Sequence, residues 1–201
     1  KTVVIGNGVS NIYQDAFYGC SSLESVVIGN SVATIYPNAF YLCTALTNVS
    51  MGSGVHTISE YAFANCSVLE QIEIGENVKV IGEYAFLNCD SLTNVVISSS
   101  VEEIGCGCFQ NCISLPYINI PGNVRTIGEY AFKGCTGLTA ITLGEGLKTI
   151  GGGAFYGSAL ESIVIPDSVT LIDSYCTSTT YQNYDGAFEN CTQLKTVVIG
   201  S

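Results

Sequence analysis

The chain has 201 residues, enough for one large domain or one array of repeats with a sizeable core. Hydrophobic residues make up 47% of it and charged residues 11%, and no apolar run reaches the roughly 18 residues that a membrane-spanning helix needs. Six basic against seventeen acidic residues give a net charge of -11, which repels phosphate backbones and anionic lipids. We therefore expect no nucleic-acid partner and no membrane insertion.

One pattern repeats along the whole chain. A leucine opens L-x-x-[VI]-x-[ILM] in each repeat, and six of these leucines, from Leu23 to Leu138, follow at intervals of 23 residues. The interval is 22 residues before Leu160 and 34 before Leu194, where an extra segment intrudes. A second half, V-x-x-I followed by A-F-x-x-C, precedes each leucine. Every phenylalanine falls on this second half and marks one of eight repeats: Phe17, Phe40, Phe63, Phe86, Phe109, Phe132, Phe155 and Phe188.

Each repeat predicts one short strand. Its last two apolar positions alternate with other residues, as at Val26 and Ile28 or at Ile72 and Ile74, which is the period of a strand with one face inward. In most repeats a glycine or proline follows, so the chain turns after each strand. Because one strand cannot close a core, the repeats are expected to stack, with their strands in a parallel sheet and the phenylalanines in a buried column opposite.

The full repeat, V-x-x-I-[GS]-x-x-A-F-x-x-C-x-x-L-x-x-[VI]-x-[IL]-[GP], resembles that of the BspA-like leucine-rich-repeat family, most clearly over 78–89 and 124–135. The resemblance implies an α/β repeat solenoid, a right-handed array of eight repeats with the parallel β-sheet on its concave face. It also implies a cell-surface or secreted protein that adheres to a host or neighbouring-cell protein, and it implies no catalytic residues. The departures from the pattern are Cys106, Cys108 and Ser158.

The predicted domain is one leucine-rich-repeat unit over 1–201, with an inserted loop at about 174–184. The same six letters, KTVVIG, stand at 1–6 and at 195–200, so the chain starts and stops in the same phase of the repeat. Terminal repeats of a complete solenoid normally carry a polar cap. We therefore expect a fragment of a longer array, whose apolar ends favour end-to-end self-association.

The binding surface is predicted where the repeats differ. Core positions hardly vary, whereas the outward strand positions change from repeat to repeat, which suits a protein partner better than a polymer. Tyr117 is the one aromatic residue among these strand positions, and the inserted loop is rich in tyrosine, which supplies contact area at low entropy cost. The alternative for the loop is a tolerated excursion without a ligand. The predicted binding residues are Gln71, Glu73, Asn94, Tyr117 and Asn119 on the strands, and Tyr175, Tyr181 and Tyr184 in the loop.

The cysteines of the repeat column are predicted to pack rather than to pair. Seven recur in one inward column, where a free cysteine serves as a small buried hydrophobe. Cys106, Cys108 and Cys112 form C-x-C-x3-C, but the last two belong to inward columns, and we expect only Cys106 to face outward. Neither a metal nor another cofactor is expected. The column cysteines are Cys20, Cys43, Cys66, Cys89, Cys112, Cys135 and Cys191.

Catalysis is not expected either, because any histidine-based mechanism would depend on the single His56. His56 shares its repeat position with Lys79, Glu102, Arg125 and Lys148, which predicts an exposed charged stripe. A second, acidic stripe is predicted at the repeat position of Glu60, Glu83 and Glu129. The function predicted is a surface module that binds a protein, and the alternative is an architectural spacer with no ligand of its own.

Overall fold

The computed structural model describes residues 1–174 and 185–200, in which the chain forms a solenoid of parallel strands. Most turns contribute one longer strand from the L-x-x-[VI]-x-[IL] half and one short strand from the V-x-x-I half. Of the predicted inserted loop, only Ser174 belongs to the described residues, and it ends the last short strand. Within the described ranges, no helix is long and apolar enough to cross a membrane.

The longer strands show the alternation that the sequence predicts. Numbered in chain order together with the short ones, they are β1 (Thr2–Ile5), β3 (Ser25–Ile28), β5 (Asn48–Ser50), β7 (Gln71–Ile74), β9 (Asn94–Ile97), β11 (Tyr117–Ile120), β13 (Ala140–Leu143), β15 (Ser162–Ile165) and β17 (Thr196–Ile199). In β7, β9 and β11 the second and fourth residues are buried and the first and third are exposed. They pair in four groups, β1-β3-β5, β7-β9, β11-β13 and β15-β17.

The continuous sheet is formed by the short strands, which the repeat pattern did not predict. These are β2 (Asn11–Ile12), β4 (Thr34–Ile35), β6 (Thr57–Ile58), β8 (Val80–Ile81), β10 (Glu103–Ile104), β12 (Thr126–Ile127), β14 (Thr149–Gly151) and β16 (Leu171–Ser174). Each pairs in parallel with the equivalent strand of the next turn, in an eight-stranded sheet. Parallel pairing is therefore confirmed, but there are two strands in most turns rather than one.

The α/β class predicted from the resemblance is wrong, because the described residues contain no helix. The returning segment A-F-x-x-C is a run of turns in which N–H groups alternate between two acceptors. Phe40 N–H donates to the carbonyl of Ala62 in the next turn (2.8 Å), whereas Tyr41 N–H donates to the carbonyl of Asn38 in its own turn (3.0 Å). An α-helix would need these N–H groups for carbonyls four residues earlier. The left-handed backbone at Asn38 (φ 56) and Leu42 (φ 60) also excludes a helix here.

The phenylalanines form the buried column that the repeat predicts. Consecutive rings stack nearly parallel, from Phe17 against Phe40 at 5.0 Å between centroids to Phe132 against Phe155 at 5.6 Å. Six of the eight rings, from Phe40 to Phe155, are fully buried. Seven such steps lead from Phe17 to Phe188, so the solenoid makes about seven turns between its first and last ring.

A second column, of asparagines, links three turns by side-chain hydrogen bonds. Asn88 Nδ2 donates to Asn65 Oδ1, and Asn111 Nδ2 donates to Asn88 Oδ1, both at 2.9 Å. All three residues have left-handed backbone, with φ between 55 and 60. Asparagine tolerates this conformation better than other residues with a side chain. The equivalent positions Gly19, Gly134, Gly157 and Asn190 also have positive φ, so this position of the repeat favours Asn or Gly, and Leu42 (φ 60) is the exception.

Candidate functional site

The outward face of the longer strands brings three of the predicted binding residues together. Parallel pairing of β7 with β9 sets Gln71 beside Asn94 and Glu73 beside Val96. All four side chains are exposed, because they occupy the first and third positions of strands whose second and fourth positions fill the core. This face, formed by the first and third positions of the longer strands, is here called the strand face.

A shallow depression of about 630 Å³ lies on the strand face across β5, β7 and β9. Gln71, Glu73 and Asn94 line it, together with Asn48 and Ser50 of β5 and residues of the turns that follow the strands. Its only charged lining residues are two carboxylates, from Glu73 and from Glu76. The depression therefore offers side-chain amides, which both donate and accept hydrogen bonds, and two carboxylates, which accept them and attract positive charge.

The structure places the other two predicted strand residues outside this depression. Tyr117 and Asn119 lie on β11, which pairs with β13 rather than with β9. The hydroxyls of Tyr117 and Thr142 lie 2.9 Å apart, so the ring leans toward β13, and 47% of Tyr117 is exposed. Tyr117 is thus an accessible aromatic side chain on β11, the next longer strand after those that line the depression. The three loop residues, Tyr175, Tyr181 and Tyr184, lie outside the described residues.

The predicted charged stripe is exposed along its whole length. His56, Lys79, Glu102, Arg125 and Lys148 all lie at the surface, and Lys79 Nζ contacts Glu102 Oε1 at 3.1 Å. Both partners of this ion pair are more than half exposed, so water and salt screen it, and its contribution to stability is small.

The predicted acidic stripe needs one correction. Glu60 and Glu83 are exposed, but Glu129 is buried, with 9% of its surface accessible. Partial burial raises the pKa of Glu60, and the neighbouring Glu83 carboxylate raises it further. A cation placed beside Glu60 would lower the pKa of Glu60 again, because it favours the charged carboxylate.

Five column cysteines, Cys43, Cys66, Cys89, Cys112 and Cys135, are buried and donate hydrogen bonds. The thiol of Cys89 donates to the carbonyl of Phe63, 26 residues earlier, at 3.3 Å, and the same contact recurs along the column. Burial raises the pKa of Cys43 to about 11 and that of Cys89 and Cys135 to about 12. Cys20, predicted to point inward, is exposed, because no described turn covers its side of the first repeat.

Cys106 differs from the other cysteines that the structure describes because it is disulfide-bonded. It is partly exposed, as predicted, whereas Cys108 and Cys112 are buried with free thiols. In the part of the chain that the structure describes, no group of three or more His, Cys, Asp or Glu side chains has the arrangement of a metal site.

We expect thiol reagents to distinguish the column cysteines by their burial. In native protein at pH 8, Cys20 reacts first, because it is exposed, whereas raised pKa values and burial keep the deeper thiols protonated and out of reach. After denaturation all of them react. Maleimide labelling followed by mass spectrometry measures this site by site, and labelling of the deep thiols at the rate of Cys20 in native protein would contradict it. The deep thiols are Cys43, Cys66, Cys89, Cys108, Cys112 and Cys135.

Sequence reasoning missed a group of stacked tyrosines on the returning segments. Tyr13 stacks on Tyr36 with ring centroids 5.1 Å apart, and Tyr18 stacks on Tyr41 at 5.2 Å. Tyr61 approaches Tyr41 edge to face at 6.3 Å. The signal was present in the sequence, because 23 residues separate the members of each stacked pair.

Comparison with known proteins agrees with the repeat. The model of the BspA-type leucine-rich repeat region matches the chain in six copies, over residues 1–115 and 102–201. The chain belongs to the BspA-type leucine-rich-repeat family. No curated protein sequence matches this BspA-type chain.

Three solved structures show what this BspA-type chain is similar to. A leucine-rich-repeat protein of T. pallidum is 30% identical, with a TM-score of 0.70 over 77% of this chain and 76% of its own. One from Bacteroides ovatus is 27% identical, with a TM-score of 0.67 over 99% of this chain. The chain spans 64% of the length of that protein. A leucine-rich cell-surface protein of Faecalibacterium prausnitzii, 23% identical over 99% of this chain and 79% of its own with a TM-score of 0.51, shares the fold.

Proposed function

We propose that this chain is a cell-surface or secreted adhesion module, without catalytic activity, that binds a host or neighbouring-cell protein through its strand face. The observation that carries the proposal is the depression across β5, β7 and β9, where Gln71, Glu73 and Asn94 meet on a rigid frame. Family membership supports a role in protein binding. The Faecalibacterium prausnitzii protein that shares the fold is a cell-surface protein, and we extend that location to this chain as part of the proposal.

The composition of the strand face supports a protein partner. Along the longer strands its positions carry amides, hydroxyls, valines and one tyrosine, and Glu73 is the only charged residue at the first and third positions of these strands. Val96 and Val164 are about half exposed, so apolar contact area lies beside the hydrogen-bonding groups. Protein interfaces combine such apolar and polar groups around a few aromatic anchors, a role that Tyr117 is placed to fill.

The test is a quantitative binding comparison between two matched sets of variants. The strand-face set replaces Gln71, Glu73, Asn94 and Tyr117 by Ala, and the control set replaces Lys79, Arg125 and Lys148 of the charged stripe by Ala. We expect the strand-face set to weaken binding of a captured surface protein by at least about tenfold, or 1.4 kcal/mol, and the control set to leave it unchanged. Both sets change exposed residues, so both should fold, which thermal unfolding checks.

The alternative function, an architectural spacer, predicts a different result. A spacer shows no saturable binding to any candidate surface protein, and neither set of variants changes its behaviour. Weakened binding in the control set alone would move the partner to the charged stripe and would contradict the strand-face proposal.

A further inference from the structure

The first turns of the solenoid carry exposed tyrosines on their returning segments, outside the strand face. Tyr13 is 65% exposed, Tyr18 51% and Tyr36 36%. The ring of Tyr13 stacks on that of Tyr36, and the ring of Tyr18 stacks on that of Tyr41. We call Tyr13, Tyr18, Tyr36 and Tyr41 the tyrosine patch. Tyr13 and Tyr18 belong to the first described turn, so one side of each ring has no neighbouring turn, whereas Tyr36 and Tyr41 keep accessible surface between two turns.

The first turns carry more acidic than basic side chains, and two of the carboxylates belong to segments next to the tyrosine patch. Residues 1–79 contain six carboxylates, on Asp15, Glu24, Glu60, Glu70, Glu73 and Glu76, against Lys1, Lys79 and His56. Asp15 lies between Tyr13 and Tyr18 in the chain and is exposed. Glu60 lies on the turn next to Tyr36 and Tyr41, since its backbone carbonyl accepts a hydrogen bond from Asn38 N–H at 3.1 Å.

The repeat position of Tyr18 and Tyr41 takes part in holding a cation elsewhere in the chain. Lys133 Nζ lies 4.2 Å from the ring centroid of Tyr130 and 4.7 Å from that of Tyr156, and 3.4 Å from Asp185 Oδ2. Lys133 and Asp185 are both mostly buried, with 30% and 22% of their side chains exposed. In this site two tyrosine rings, one of them from the next turn, and a carboxylate from two turns further on surround the ammonium group of Lys133.

The positions correspond residue by residue. Tyr41 is the residue after the repeat phenylalanine, as Tyr156 is, and Glu60 stands three residues before the next phenylalanine, as Asp185 does. The position of Lys133 is taken by Tyr18 in the first repeat. The position of Tyr130 is taken by Asp15. The first turns thus keep one ring and one carboxylate of the site, with a carboxylate in place of the other ring and a ring in place of the lysine. Tyr13 and Tyr36 flank these positions and correspond to Gly128 and Gly151.

We propose that the tyrosine patch, together with Glu60, is a second docking surface that accepts an arginine or lysine side chain of a basic segment in a partner protein. Cation–π contacts with the rings and a charge-assisted contact with Glu60 supply the attraction. The site uses none of the strand-face residues, so it stands or fails separately from the proposed function.

The first arm of the test measures a cationic peptide against its neutral twin. A labelled peptide of alternating glycine and arginine, and the same peptide with citrulline in place of arginine, are titrated by fluorescence anisotropy at about 0.15 M salt. We expect saturable binding of the arginine peptide only. Equal binding of the citrulline peptide, or no binding of the arginine peptide up to about 1 mM, would overturn the proposal.

The second arm separates this site from general attraction to the net charge. Tyr36→Leu with Tyr41→Leu should weaken the arginine peptide about tenfold, because Leu keeps bulk and loses the ring, whereas Phe at both positions should retain most of the affinity. Glu60→Gln should also weaken it, and Tyr117→Leu on the strand face should not. If the Leu pair binds like wild type, the peptide follows overall charge and the proposal is wrong.

The third arm rebuilds the internal cation site in the first turns. Tyr18→Lys restores a lysine at the position of Lys133, beside Tyr41 and Glu60, and is expected to block the peptide. Asn119→Lys adds the same charge on the strand face and serves as the control for nonspecific repulsion. Equal loss of affinity in the two variants would contradict a specific site, and loss in Tyr18→Lys alone supports it.

Discussion

Phe86→Ala is expected to lower the free energy of unfolding by about 3–5 kcal/mol, the usual loss for truncating a buried aromatic side chain. The ring of Phe86 is fully buried and stacks on Phe63 at 5.5 Å and on Phe109 at 5.4 Å. Its removal leaves a cavity in the middle of the column and unsupported ring faces on both sides. Equilibrium denaturation with urea, followed by circular dichroism, measures the loss.

Two further variants locate the effect in the stacked column. Phe188→Ala removes a ring that is only partly buried and stacks on Phe155 alone among the described phenylalanines, so we expect a smaller loss. Tyr117→Ala on the strand face should change stability by no more than about 0.5 kcal/mol, as most exposed substitutions do. An unfolding midpoint for Phe86→Ala equal to that of Tyr117→Ala would show that the column does not hold the repeats together.

The core could be predicted from the sequence because its signal is a period. Any residue that points inward is repeated one turn later by a residue of the same kind, as Phe86 repeats Phe63, so spacing alone assigns it to the core. The outward positions of β7 and β9 followed from the same register, which is why Gln71, Glu73 and Asn94 were predicted together.

The path of the returning segment could not be predicted in the same way. Whether Phe40 N–H donates within its own turn or to Ala62 of the next turn leaves no mark on the pattern of apolar residues. That choice decides between a helix and a run of turns, and family resemblance favoured the wrong alternative. For the same reason the short strands escaped notice, since two residues such as Thr34 and Ile35 are too few to show a strand period.

Predictions for the surface were weaker because the outward positions do not repeat. Glu129 shares a repeat position with the exposed Glu60 and Glu83 but is buried, so a repeat position alone does not fix exposure. Tyr117 is predicted as a binding residue because it is the one aromatic residue on the strand face. Its hydroxyl, however, contacts Thr142 on β13, which lies farther from the depression than β11 does. Position in the repeat fixes the face that a side chain points to, and only its neighbours fix its contacts.

Asn88→Ala is expected to lower the free energy of unfolding by about 2–4 kcal/mol, from two sources. The variant loses the hydrogen bonds at 2.9 Å to Asn65 and to Asn111, each contributing on the order of 1 kcal/mol. It also places Ala at a backbone φ of 55, a left-handed conformation that costs a residue with a Cβ roughly 1–2 kcal/mol. Urea denaturation again measures the loss.

Asn88→Gly separates these two sources, because glycine loses the same side-chain hydrogen bonds but adopts positive φ without strain. The natural Gly134 and Gly157 at the same repeat position, with φ of 70 and 68, show that the fold accepts glycine there. We expect Asn88→Gly to be more stable than Asn88→Ala by about 1 kcal/mol and less stable than wild type. If the two variants are equally stable, backbone conformation does not select the residue at this position, and the side-chain hydrogen bonds alone account for the asparagine column.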